Sequence, residues 1–233
     1  MLIDSLRTLF SGGSVDMMGI VAQILSVIVV ILLILPFHEF AHGWVAYKLG
    51  DPTAKFQGRL TFNPLASVDY MGALWLLLFG FGWAKPVQVD SRNFKKPRRD
   101  MALVSLAGPL ANVIAAFAGA LVFFAVYAFA PYNSFVSFII SFLSFYISVN
   151  MSLAVFNLLP IPPLDGSKIL ASFLPQRMYE SFYRYQNIIV MICFVLLFTG
   201  VLSGPLGYLQ GLLSKGVLYV ASRPFVWLGL IVW

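Results

Sequence analysis

Charged residues are scarce in this sequence. Only 10% of the 233 residues are Asp, Glu, Lys or Arg, whereas 60% are hydrophobic and the mean hydropathy is +0.89. Soluble domains carry roughly 25% charged residues, so this composition excludes an ordinary soluble protein and predicts an integral membrane protein. The net charge of +6 therefore indicates membrane topology rather than nucleic-acid binding, because the basic residues lie beside apolar segments.

Cysteine and histidine are almost absent. The single cysteine, Cys193, excludes an internal disulfide. The only two histidines, His38 and His42, lie in one apolar stretch that reads H-E-x-x-H. At about 100° per residue of a helix both imidazoles face the same side and can bind one zinc ion. Glu39 projects beside that face, where its carboxylate can accept a proton from water that zinc activates.

Long apolar segments predict an all-α, polytopic membrane protein, a helical bundle of about five to six transmembrane segments. The first 16 residues contain no recognisable cleavage site, so no removable signal peptide is expected. The first helix is expected to end at about Leu49, before Gly50, and to be irregular at Pro36. The span count after residue 204 stays open. The clearest spans lie at about residues 20–49, 101–130, 134–159 and 187–201.

The polar section from 51 to 100 interrupts this pattern. Residues 56–62 alternate like a short strand, and residues 74–81 are apolar but too short to cross a bilayer. We therefore expect a short re-entrant or interfacial β-hairpin region here, covering about 80–89. The segment 85–90 looks extended, and Val87, Gln88 and Val89 could pair with an unwound substrate as an added strand.

The distribution of basic residues predicts the orientation. Residues 48–99 contain nine Lys or Arg and residues 168–184 contain three, whereas 131–136 contain none. The positive-inside rule then places the histidine motif and the end of the third span on the cytoplasmic side. The cluster between Arg92 and Arg99 is expected to fix this topology and to contact anionic lipid in the bilayer.

Three sequence motifs together resemble the site-2 protease family of intramembrane zinc metalloproteases. They are the H-E-x-x-H motif, residues 108–112 (Gly-Pro-Leu-Ala-Asn), and residues 157–166, which run from Asn157 to Asp165-Gly166. The resemblance covers most of residues 20–170, the expected catalytic core of one domain that spans 1–233. No insertion large enough for a PDZ domain interrupts the chain, and no nucleotide-sensing domain is recognised, so it resembles the small form, from a prokaryotic cell membrane.

The resemblance implies a role for individual residues. Asp165 would be the third zinc ligand beside His38 and His42, and Glu39 would be the general base. Asn157 and Asn112 match family asparagines for which an oxyanion-stabilising or substrate-holding role is expected. The substrate would be a transmembrane protein that is cut within or beside its membrane helix, although its identity and the oligomeric state stay open.

Other interpretations of the same residues remain. Asp165 could cap a helix after the prolines, and the two asparagines could simply join helices by hydrogen bonds. A divalent-metal transporter would also place His and Asp in its spans, and a non-catalytic membrane scaffold is a further alternative. A transporter needs a polar path, however, and residues 20–35 offer only Gln23 and Ser26.

Overall fold

The structure, a computed structural model, describes residues 16–79 and 82–231, and its regular elements are helices. Residues 1–15, for which no signal peptide is predicted, lie outside the described residues. So do Gly80 and Phe81, in the expected hairpin region, and residues 232–233. The described α-helices are numbered α1 to α11 in chain order.

The first long helix carries the histidine motif. It consists of α1 (Met17–Val29), a wide π-helical turn (Val30–Ile34) and α2 (Leu35–Leu49), which continue as one 33-residue segment apolar enough to cross a membrane. The irregularity predicted at Pro36 is present as this wide turn immediately before it. Gly50, with a φ of +111°, ends α2 at the predicted residue in a conformation that favours glycine.

Three short helices follow: α3 (Thr53–Phe56), α4 (Pro64–Ser67) and α5 (Tyr70–Phe79). The strand predicted over 56–62 is wrong. The last residue of α3 lies within it, and the chain then turns at Gly58, whose φ is +65°. The alternation of polar and apolar residues at this place therefore belongs to a turn rather than to a pleated strand.

The segment from residue 84 to residue 90, here called the strap, returns across this region without forming a strand. Ala84 makes one antiparallel bridge with Val68, and a short 3-10 turn (Ser91–Asn93) follows the strap. Within residues 82–89, the part of the expected β-hairpin region that the structure describes, this single bridge is the only antiparallel pairing.

Two long antiparallel helices follow the strap. Helix α6 (Pro97–Phe129) begins four residues earlier than predicted, and α7 (Ser134–Asn157) follows the predicted turn. The Asn133 side chain accepts a hydrogen bond of 2.9 Å from the Val136 N–H and so caps α7. The ring of Tyr146 lies against Gly119, because a β-carbon there would be 2.7 Å from the ring. Such small residues allow membrane helices to approach closely.

The C-terminal third contains α8 (Asp165–Phe173), α9 (Gln176–Arg184), α10 (Gln186–Phe198) and α11 (Ser203–Trp227). By length and composition, the described residues hold three helices able to cross a membrane, namely 17–49, α6 and α7. Helix α10 has 13 residues and is roughly 20 Å long, shorter than the hydrocarbon core. The count of five to six spans stays a prediction.

Helix α6 is the central element. It packs against α2, α7, α8 and α11, whereas α1 packs against α7. The partner of the first long helix therefore changes at the wide turn Val30–Ile34. Two apolar clusters form the core around α6; one joins the first helix, α5, α6 and α7, and the other joins α6, α7 and α11. A smaller cluster of Ala46, Phe94 and Val104 packs where α2, the end of the strap and α6 meet.

Candidate metal centre

Three buried side chains, two from α2 and one from the start of α8, lie close together. His42 Nε2 lies 3.1 Å from His38 Nε2 and 3.1 Å from Asp165 Oδ2, and His38 Nε2 lies 3.3 Å from Asp165 Oδ2. Each of these residues is at most 7% exposed. The structure thus brings together the three residues expected to bind zinc, although 123 positions separate His42 from Asp165.

This donor set fits a zinc ion. Zinc–nitrogen and zinc–oxygen bonds of about 2.0 to 2.1 Å at tetrahedral angles require ligand atoms roughly 3.3 to 3.4 Å apart. The three observed separations of 3.1 to 3.3 Å match the edges of one face of such a tetrahedron. Two imidazoles and one carboxylate also leave a fourth position open, as catalytic zinc sites require.

Helix geometry positions the two imidazoles. The four-residue spacing in α2 puts His38 and His42 one turn apart, and their ring centroids are 4.7 Å from each other. Nδ1 of His42 is 2.7 Å from the Val104 carbonyl oxygen of α6, which leaves its Nε2 facing His38 and Asp165. Such a contact orients a metal-binding imidazole and selects its tautomer. Nδ1 of His38 is buried without a partner among the described residues.

Gly108 allows α6 to lie directly beside the histidines. A β-carbon at this position would be 2.5 Å from His38 Cε1 and 2.6 Å from His38 Nε2, and closer still to His42 Nε2. Any larger residue would therefore displace the imidazoles. Gly108, which opens the 108–112 motif, therefore allows this close approach. Helix α6 continues through Pro109, the next residue of the motif.

Asp165 reaches the site from the first residue of α8. Leu164, not Asp165, is the N-cap residue of that helix, so the capping interpretation of Asp165 is wrong. The carboxylate directs Oδ2 to both histidines, whereas Oδ1 lies 3.8 Å from Lys168 Nζ. Gly166 lets α8 begin here, because a β-carbon would overlap the carbonyl oxygens of Leu158 and Leu159 at the end of α7.

Glu39 lies in α2 between the two histidines and is only 7% exposed. Its Oε2 accepts a hydrogen bond of 2.8 Å from the backbone N–H of Val87 in the strap. A buried carboxylate needs such a partner, because it loses its hydration. The proposed base and the expected substrate-pairing segment are therefore in direct contact.

The two asparagines differ in their surroundings. Asn112 is completely buried in α6, one turn beyond Gly108, and neither its Oδ1 nor its Nδ2 has a hydrogen-bond partner within the part of the chain that the structure describes. Asn157 is half-buried at the end of α7, and its Nδ2 donates to the Leu153 carbonyl one turn earlier. An unpaired buried amide is energetically costly, so Asn112 is the more conspicuous candidate for contacting a ligand.

The three strap residues expected to pair with substrate have different environments. Val87 is half-buried, and its N–H is occupied by Glu39. Gln88 is exposed, and Val89 packs against the cluster of Ala46, Phe94 and Val104. In this arrangement Gln88 is the most accessible of the three.

Sequence reasoning missed three contributors. The Val104 carbonyl, which contacts His42 Nδ1, could not be predicted from the sequence, because every residue type has a backbone carbonyl. Arg59 stands in the segment predicted as a strand, and its guanidinium donates to the carbonyls of Ala66 and Lys85. Asp51, which follows the glycine that ends α2, is fully buried and accepts hydrogen bonds from four donors. An acidic residue directly after a helix-ending glycine was the available signal.

Comparison with known proteins identifies the family of this chain. The family model described as "Peptidase family M50" matches residues 26–138 and 125–200. The chain belongs to peptidase family M50. This match confirms the resemblance to the site-2 proteases, and as an M50 member the chain is a metalloprotease. The cluster of His38, His42 and Asp165 fits the predicted zinc ion.

Several relatives of this M50 chain have curated names that begin "Putative zinc metalloprotease". YwhC of Bacillus subtilis is 49% identical over 150 residues, which are 63% of this chain and 68% of YwhC. Rip2 of Mycobacterium tuberculosis H37Rv is 30% identical over 83% of this chain and 74% of its own length. MJ0611 of Methanocaldococcus jannaschii is 34% identical over 58% of this chain and 63% of its own. No solved structure matches the chain significantly.

Proposed function

We propose that this M50 metalloprotease is an intramembrane zinc endopeptidase that hydrolyses a peptide bond in or beside a transmembrane segment of another membrane protein. The observation that carries the proposal is the convergence of His38, His42 and Asp165 among helices long and apolar enough to cross a membrane, together with the buried Glu39 of the same helix as the histidines. His42 lies seven residues before the end of α2 at Leu49, roughly 11 Å along the helix axis. The reaction would therefore occur below the membrane surface.

The chain supplies the zinc ligands in a pre-arranged form. His38 and His42 would bind through Nε2 and Asp165 through Oδ2, the atoms that already face one another. The Val104 carbonyl would hold His42 in the tautomer that leaves Nε2 free for the metal. When bound, zinc supplies Lewis acidity that polarises the scissile carbonyl and activates the attacking water.

Glu39 would carry the proton during hydrolysis. It would accept a proton from the attacking water and pass it to the nitrogen of the leaving amine, so that the peptide bond is replaced by a carboxylate and an amine. Its Oε2 is held by Val87. The other carboxylate oxygen would receive the proton.

Substrate binding would use polar groups near the metal. Asn112, whose buried amide is unpaired, would donate to the oxyanion or hold the substrate backbone, and Asn157 would assist from the end of α7. A helical substrate hides its carbonyls within its own hydrogen bonds, so it must unwind before attack. The exposed backbone at Gln88 would then pair with the unwound segment, together with Val87 and Val89 if the strap rearranges.

The orientation proposed for the membrane follows from charge. The nine basic residues of the 48–99 section lie between the last turn of α2 and the first turn of α6. We assign them to the cytoplasmic side, where Lys and Arg are enriched. A total of five spans would require α10 and α11 to cross the bilayer in addition to the three apolar helices 17–49, α6 and α7, and a sixth span would require one more segment.

The test compares membranes from cells that produce the wild-type protein with membranes that contain Glu39→Gln. The variant should keep one zinc ion per chain, measured by atomic absorption, and should lose proteolysis, so that uncut transmembrane proteins accumulate. An Asp165→Ala variant should lose both zinc and proteolysis. Identical membrane proteomes for wild type and Glu39→Gln would contradict the proposal, and zinc flux into proteoliposomes would instead indicate a transporter.

A further inference from the structure

The strap lies against the zinc helix at the position of Glu39. The Val87 N–H donates to Glu39 Oε2 over 2.8 Å, and no second hydrogen bond to this carboxylate is found within the described ranges 16–79 and 82–231. A hydrogen bond to a carboxylate is stronger than one between neutral groups, so it restricts the rotation of the Glu39 side chain. It also leaves Oε1 free for a proton.

The two ends of the strap are held by side chains outside it. At the first end, the Arg59 guanidinium donates to the carbonyls of Ala66 and Lys85, and the Lys85 N–H donates to the Ser67 carbonyl over 2.8 Å. These bonds tie the start of the strap to α4. Lysine could not replace Arg59 here, because a single ammonium does not offer two divergent terminal nitrogens.

At the other end, Asp51 holds the strap to the helix that carries Glu39. Asp51 directly follows the last turn of α2, and its Oδ2 accepts a 2.8 Å hydrogen bond from the Asp90 N–H. Its Oδ1 accepts from the Thr53 hydroxyl, the Thr53 N–H and the Asn93 side chain. A fully buried carboxylate with four donors is a rigid attachment point.

Gly43 leaves room for Leu60 against α2, beside the strap. It lies one turn after Glu39, on the same side of the helix. A β-carbon on Gly43 would be 2.8 Å from Leu60 Cδ2 and 3.2 Å from Ala54 Cβ, whereas its 3.5 Å separation from Val87 Cγ1 would be ordinary van der Waals contact. The Val87 side chain therefore packs against α2 beside this glycine.

We propose that the strap positions Glu39 for catalysis, and that Asp51 and Arg59 are positioning residues that hold the strap in place. The proposal rests on the proposed role of Glu39 as the general base. Neither residue needs to contact substrate. Their function would be to keep the Val87 N–H directed at Oε2, so that Glu39 does not have to find its rotamer again in each reaction cycle.

The hydrogen bond between the Val87 N–H and Glu39 can be tested without any substrate. Hydrogen exchange of the purified, zinc-loaded protein should show a protected Val87 amide, and Glu39→Ala should accelerate its exchange about tenfold, as expected for the loss of one hydrogen bond. Asp51→Asn should accelerate it as well, because an amide NH₂ would face the Asp90 N–H. Equal Val87 exchange in wild type and Glu39→Ala would overturn the proposal, whatever the activity of the enzyme.

The catalytic consequence is tested by kinetics. The probe is a transmembrane segment that accumulates uncut in Glu39→Gln membranes, reconstituted with the enzyme in liposomes. Asp51→Asn and Arg59→Lys should lower kcat about tenfold, with KM within about twofold and one zinc ion per chain. Asp90→Asn is the matched control, because its side chain contacts exposed Arg92 while its N–H still reaches Asp51; it should keep wild-type kcat.

The possible results separate the two proposals. If Glu39→Gln cleaves normally, the proposed function fails even where the Val87 amide is protected. If Glu39→Gln is inactive but Asp51→Asn and Arg59→Lys keep wild-type kcat, only the positioning role fails. A rise in KM at constant kcat would likewise overturn it, since that result would mean that the strap acts through substrate pairing alone and does not position Glu39.

Discussion

Gly108 lies directly against His38: a β-carbon added to this glycine would be 2.6 Å from His38 Nε2. The separation leaves no room for a methyl group between α6 and the atoms that would bind zinc. The central helix therefore forms one wall of the metal centre through its backbone alone.

Gly108→Ala should disrupt metal binding more than it disrupts the fold. The new methyl group would push both imidazoles away from Asp165, and we expect zinc affinity to fall at least tenfold. Competition with a chelator of known affinity measures this change. Gly207→Ala is a suitable control, because a β-carbon there meets no atom within 4 Å; equal zinc affinity in both variants would show that α6 shifts without disturbing the site.

Gly166→Ala should act on the third ligand instead. Its methyl group would overlap the carbonyl oxygens of Leu158 and Leu159, so the start of α8 must move and take Asp165 with it. We expect zinc loss close to that of Asp165→Ala, with the helix content preserved. Zinc stoichiometry and far-UV circular dichroism of the purified proteins check both expectations. Full zinc occupancy in Gly166→Ala would contradict the expectation that the contact of Gly166 with Leu158 and Leu159 positions Asp165.

Asn112→Leu should separate stability from activity. The change removes two buried polar atoms that have no partner, so the thermal midpoint in detergent should rise rather than fall. If Asn112 stabilises the oxyanion, kcat should fall by about 10² to 10³ while zinc is retained. Asn150→Leu is the control: Asn150 is equally buried but donates to Tyr146 one turn earlier. Unchanged kcat in Asn112→Leu would show that Asn112 does not stabilise the oxyanion.

Asp51 should make the anchoring of the strap sensitive to acid. Burial alone would raise the pKa of its carboxyl, but the hydrogen bonds from Thr53, Asn93 and Asp90 outweigh it and hold the pKa below the usual range. A lowered folded-state pKa stabilises the protein above the unfolded value of about 3.9 and loses that contribution as the pH falls through the folded value. Between pH 5 and about pH 2, thermal midpoints should therefore fall further for wild type than for Asp51→Asn. If the thermal midpoints of the two proteins fell equally with pH, the contribution of the Asp51 carboxylate to stability would be contradicted.

The part of the site that sequence could predict was the part built within one helix. His38, Glu39 and His42 follow from a four-residue spacing and the fixed rotation of a helix, and the end of α2 followed from Gly50. The basic residues predicted that the end of the third span lies on the same side as the histidines, but the role of Asp165 as a ligand could be expected only from resemblance, because no local rule joins a residue to another 123 positions away. The structure supplies the packing of α2, α6 and α8 that brings them together.

The errors have a common cause. Residues 56–62 alternate in polarity, but the chain turns at Gly58. The Arg59 guanidinium then donates hydrogen bonds to backbone carbonyls of α4 and of the strap. Local alternation could not reveal these long-range partners. The capping interpretation of Asp165 failed similarly, because Leu164 is the N-cap residue and the Asp165 carboxylate points to two histidines that are distant in the sequence.

The wide turn at Val30–Ile34 divides the first long helix into two parts that pack on different partners. Before it the helix faces α7, and after it the helix faces α6. One residue more or less in a helix rotates everything beyond it by about 100°. Deleting a single residue within this turn would thus rotate the histidines by about 100° relative to the part of the helix that packs on α7, and would carry them away from Asp165.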